Sequence, residues 1–99
     1  MEARDIKIME FVSGIATAAV GNAKLDLDKI ENLVETLFAT MHTLLEVHAH
    51  EVGSDRYIEV MGLVSRITTA AVENARLDLD EIDELVKTVF PAMCKLLEA

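Results

Sequence analysis

A chain of 99 residues that is 52% hydrophobic but only 4% aromatic, with no Trp, must build one small core from Leu, Ile, Val, Ala and Met, a composition suited to helices meeting helices. Nine basic against 18 acidic residues give a formal charge of −9, a field that repels phosphate backbones and argues against direct nucleic-acid binding. One Pro and four Gly leave too little turn material for a β-sandwich, and Cys94 as the single cysteine excludes an intrachain disulfide and a thiolate zinc cluster.

The chain opens on the charged run Met1-Glu2-Ala3-Arg4-Asp5, which does not read as a signal peptide. No apolar run approaches the roughly 18 residues that suggest a membrane span, so the expected location is cytoplasmic. The first helix carries Ile6, Met9, Val12, Ala16, Ala19, Val20 and Ala23 on one part of its face, and Ile8, Phe11, Ile15 and Ala18 extend it. At about 100° per residue these positions cover an arc of roughly 200°. A helix that packs on one neighbour needs only about half that width, so this one must touch more than one partner. Leu25-Asp26-Leu27-Asp28 follows, with Asp26 as the cap of a second helix. Its stripe of Ile30, Leu33, Val34, Leu37, Phe38, Met41, Leu44 and Leu45 keeps i, i+3, i+4 spacing.

Gly53 is suited to stop that helix, and Ser54 or Asp55 to cap the next, which implies a tight turn near 52–55. The third helix repeats the broad arc with Ile58, Met61, Val64, Ala71, Val72 and Ala75, extended by Val60, Leu63, Ile67 and Ala70. Asp78 and Glu81 then have the spacing of a capping box. The fourth helix carries Ile82, Leu85, Val86, Val89, Phe90, Met93, Leu96 and Leu97, with Pro91 expected to kink it.

The chain is a duplication. Residues 16–46 lie over residues 68–98 without a gap, and the match reaches back to Arg4 over Arg56. The expected fold is all-α: four helices as two tandem helical hairpins, 4–46 and 56–98, packed through their first helices as a pseudo-twofold bundle in one domain, 1–99. One hairpin alone is too small for a stable core. Pro91 in place of Ala39 should make the pseudosymmetry imperfect.

Little in this chain reads as chemistry. His48 and His50 point about 200° apart on a helix, and His42 with Glu46, or Cys94 with Glu98, supplies two metal ligands where a site needs at least three. The Leu-Asp-Leu-Asp segments lack the ligand spacing and Gly of a calcium loop, and helix capping accounts for their aspartates. Ser13 and Ser65 have no nearby histidine to build a hydrolase triad. Cys94 beside Lys95 reads as a passive thiol. Met9, Met41, Met61 and Met93 sit at matching positions and read as core filling. No catalytic residue, cofactor or metal is expected.

The stretch Ala18-Ala19-Val20-Gly21-Asn22-Ala23-Lys24-Leu25, followed by Ile30, Leu33-Val34 and Leu37-Phe38, resembles the N-terminal part of MucR/Ros-type bacterial transcriptional regulators. The spacing fits both units over about 30 residues each, with Asn22 and Asn74 as the polar markers. Ala19 and Ala71 replace the family's aromatic residue, Glu31 and Asp83 its Pro, and Phe38 and Phe90 its His. The family's Cys-Cys-His-His zinc finger has no counterpart. The resemblance therefore implies the helical, self-associating portion of such a regulator, present twice, in bacteria or their phages, and not its DNA-binding activity.

The leading functional expectation is a non-enzymatic protein-interaction or oligomerisation module. It would pair with itself or with a related helical regulator, and so modulate transcription through protein contacts. Ile8, Phe11, Ile15, Val60, Leu63 and Ile67, the second edge of the first helices, are the candidate interface, in a homodimer or in a monomer that is itself a pseudo-dimer. An alternative is an acidic inhibitor or decoy of a nucleic-acid-binding protein, contacting it through Glu31, Glu35, Asp80, Glu81, Asp83 and Glu84. A bundle that binds a small apolar ligand is the third reading.

Overall fold

The apolar stripes fold as their spacing dictates. In a computed structural model, which describes residues 3–23, 27–48 and 54–98, they form α1 (Ala3–Ala23), α2 (Leu27–His48), α3 (Ser54–Asn74) and α4 (Leu79–Glu98), with no strand among the described residues. The capping box at the start of α4 is formed as expected: the Glu81 N–H donates to Asp78 Oδ1 at 2.9 Å, and the Asp78 N–H to Glu81 Oε1 at 3.1 Å. α4 remains helical through Pro91 to Glu98. Asp26, His50 and Gly53, and the side chains of Ser54 and Asp55, lie outside what is described. None of the described helices is long and apolar enough to cross a membrane.

Within each hairpin α1 packs on α2 and α3 on α4; between hairpins α1 meets α3 and α2 meets α4. Phe11 lies by Gly62 and Gly14 by Thr69, so α1 and α3 run in the same direction. Thr40 reaches Asp83, and the ring of His48 meets that of Phe90 at 5.4 Å, so α2 and α4 also run in parallel. The two hairpins therefore stand side by side, pointing the same way. The bundle measures 41 × 29 × 16 Å between Cα atoms, thin enough for two helix layers about 8–10 Å apart.

The four-helix bundle of two hairpins is as the duplication implies, but the twofold of the sequence is not carried into burial. In α2 the buried stripe is Leu33, Leu37, Met41 and Leu45. In α4 it is Ile82, Val86, Phe90 and Cys94, whose counterparts in unit one are Ile30, Val34, Phe38 and His42. A shift of three residues is a roll of about 60° around the helix axis. The first helices differ in the same sense. α1 buries Ile8, Val12, Ile15, Ala16 and Ala19, whereas α3 buries Val60, Met61, Val64, Ser65, Thr68 and Val72. The two hydroxyls in that set donate back along their own helix, Ser65 to the Gly62 carbonyl at 2.9 Å and Thr68 to the Val64 carbonyl at 2.8 Å, so neither is buried unsatisfied.

The roll predicts unequal costs at equivalent positions. Phe90 is fully buried and Phe38 only half-buried, so Phe90→Ala should cost about 3–5 kcal/mol in urea unfolding, and Phe38→Ala less than half of that. Gly14→Ala should stabilise by about 0.5–1 kcal/mol, because a Cβ there meets nothing closer than Thr69 Oγ1 at 4.0 Å. At Gly62 the same change should fall short of that gain, since the Cβ would sit 3.3 Å from Phe11 Cε1.

Candidate interaction surface

Side-by-side packing of two copies of one motif gives each hairpin one covered side and one uncovered side. The first hairpin covers the side bearing Ile15, Ala19, Leu33, Leu37, Met41 and Leu45. On its other side Met9, Val20 and Val34 stand exposed, and Ile30, Phe38 and His42 are half-buried. The second hairpin does the reverse. It covers Met61, Val72, Ile82, Val86, Phe90 and Cys94 and leaves Leu63, Ile67 and Leu97 exposed, with Leu85, Val89 and Met93 half-buried. At several equivalent positions one unit buries what the other exposes: Ile15, Leu45, Met61, Val72 and Val86 are buried while Ile67, Leu97, Met9, Val20 and Val34 are exposed, although Ile8 and Val60, Val12 and Val64, and Ala16 and Thr68 are buried in both units.

This arrangement divides the six residues expected to form an interface. Leu63 and Ile67 are 48% and 43% exposed. Phe11 is half-buried, its ring against Gly62. Ile8, Ile15 and Val60 are core residues: the first two are wholly buried and Val60 retains 7% exposure. The correction has a simple cause. Treating equivalent positions as equivalent surfaces assumes that both units present the same edge, whereas one edge of α1 packs on the opposite edge of α3. The exposed apolar residues that this assumption missed are Ile6, Met9 and Val20 on α1, Leu27, Val34 and Val47 on α2, and Leu96 and Leu97 on α4. The breadth of the apolar arcs signalled a second surface, but not which side of each helix would supply it.

The acidic groups also separate. Glu31, Glu35, Asp80, Glu81 and Glu84 are exposed, but Glu81 is held by the cap. Asp83 is half-buried between hairpins, accepting a 2.6 Å hydrogen bond from Thr40 Oγ1 and pairing with Lys87 Nζ at 2.8 Å. The hydrogen bond and charge of Asp83 raise the Lys87 pKa above 10.5. The stability this pair contributes is therefore present below the ordinary lysine pKa and is lost as pH rises through the raised value.

His42 stacks on Phe38 at 6.0 Å, with Nε2 at 3.5 Å from Glu46 Oε1 and 3.8 Å from Asp5 Oδ1. Arg4 Nη2 lies 3.9 Å from the same Glu46 oxygen. This cluster ties the start of α1 to the end of α2; at such exposure and distance each pair contributes little. No group of three or more His, Cys, Asp or Glu among the described residues is placed to hold a metal. Cys94 is a buried free thiol.

Where the four helices converge near the loop between α3 and α4, a cavity of about 280 Å³ is lined by Ala19, Leu33, Val72, Leu77, Leu79 and Ile82, together with Lys29, Arg76 and Asp78. Both cations are exposed.

No family model, curated protein or solved structure matches this chain.

The cap at α4 fixes the floor of that cavity, since Asp78 and Leu79 both line it. Asp78→Ala should cost about 1 kcal/mol in thermal or urea unfolding, through loss of the hydrogen bond to the Glu81 N–H.

Proposed function

We propose that this chain is a non-enzymatic protein-interaction module that self-associates through the exposed apolar sides of its two hairpins. The observation that carries this reading is the placement of Met9, Val20, Val34, Leu63, Ile67 and Leu97 on the flanks where a further helical hairpin could pack. A small domain has little reason to leave so many large aliphatic side chains in water on helix faces otherwise suited to packing. The MucR/Ros resemblance points the same way, to a self-associating regulator segment without its zinc finger. On that reading the chain acts on transcription through protein contacts, in a bacterial or phage cytoplasm.

The cavity favours a second reading, a bundle that takes a small apolar ligand. Its lining is mostly aliphatic, with Lys29, Arg76 and Asp78 as its charged residues. Native mass spectrometry of the purified protein would show a co-purified guest if this second use is real. No comparable observation favours the acidic-decoy reading, since Asp83 and Glu81 are engaged within the fold.

Light scattering over a concentration series tests the main reading. A mass above 10.9 kDa that rises with concentration and is insensitive to salt is the expected result, because apolar contacts are not screened. A 10.9 kDa species at every concentration would remove self-association as the function.

A further inference from the structure

The two uncovered sides are unlike each other, and each matches a surface that is already paired inside the chain. Leu63 is the counterpart of Phe11, whose ring lies against Gly62 of α3, and Ile67 is the counterpart of the buried Ile15. Met9 and Val34 are the counterparts of Met61 and Val86, which are buried in the second hairpin. From this we infer that a second copy of the chain docks head to tail: the second hairpin of one copy packs on the first hairpin of the next, repeating the internal contact. The inference rests on the self-association reading and adds to it the surfaces and their polarity.

Two further observations support the pairing. The groove where Phe11 and Gly14 meet α3 is completed by Ser65 and Thr69, and their counterparts on α1 are Ser13 and Thr17, both exposed. Small residues therefore stand ready on α1 where an incoming helix would approach. Lastly, an array of stacked repeats normally ends in units with polar outer sides, and here both outer sides are apolar. A contact of this kind is heterologous, so it either closes into a ring or grows.

The test uses two full-length variants, each blocked on one side: Met9→Glu with Val34→Glu on the first hairpin, and Leu63→Glu with Ile67→Glu on the second. All four positions are exposed, and circular dichroism checks that each variant keeps its helices. If either loses them, Val34→Gln and Ile67→Gln take their place. The wild type should exceed 10.9 kDa in light scattering, each variant alone should remain at that mass, and an equimolar mixture should form a one-to-one species of twice that mass. The mixture associates because each variant retains one intact side and the two intact sides are complementary. If one variant alone still dimerises, or if the mixture stays monomeric while the wild type associates, head-to-tail docking is overturned and self-association stands. A wild type that is monomeric throughout overturns both.

Discussion

The parallel approach of α1 and α3 is the contact on which the rest of the structure depends. The two helices carry related sequences and could have met through like faces. Instead the ring of Phe11 on α1 lies against Gly62 on α3, and Gly14 passes Thr69 one turn further on. Unlike residues at the contact permit this: a large side chain on one helix meets a position without a Cβ on the other, so the backbones can come close. Reversing the roles would place Leu63 against Glu10, a contact that leaves Phe11 and Gly62 unmatched within the chain.

From that asymmetry the burial pattern follows. Once α1 presents one edge and α3 the other, the second helices must roll to keep their apolar stripes over the shared core. That is why α2 covers Leu33, Leu37, Met41 and Leu45 while α4 covers Ile82, Val86, Phe90 and Cys94. The polar contacts between hairpins are specific to this register. Thr40 on α2 donates to Asp83 on α4, yet their counterparts, Ala92 and Glu31, could not make that bond. Duplication supplied two copies of a hairpin, and divergence at a few positions made their union directional. In a chain of this size, where little surface is buried per residue, such a register matters more than any single ion pair on the surface.

The same asymmetry leaves the uncovered apolar side chains on opposite flanks of the pair and not on symmetric edges. Wide apolar arcs on α1 and α3 supply more packing surface than one internal contact consumes, and what remains lies on the two outer sides of the pair. The acidic residues outside the cap and the Thr40–Asp83–Lys87 cluster keep the remaining surface hydrated and negatively charged.

The all-helical class, the two hairpins, and the capping box at Asp78 and Glu81 were legible in the sequence, because each depends on local spacing along one helix or on direct self-comparison of the chain. Of the six residues expected to form an interface, three lie outside the buried core. Leu63 and Ile67 are exposed, and Phe11 sits at the surface of the contact, since their side of the helix lies beyond the main stripe. What only the tertiary structure decided is which edge of each broad arc is covered. Ile15 and Ile67 are the same residue at the same repeat position, yet one is wholly buried and the other is exposed. Periodicity fixes the width of an apolar face, but its orientation is set by the partner helix, and α1 and α3 meet through unlike edges.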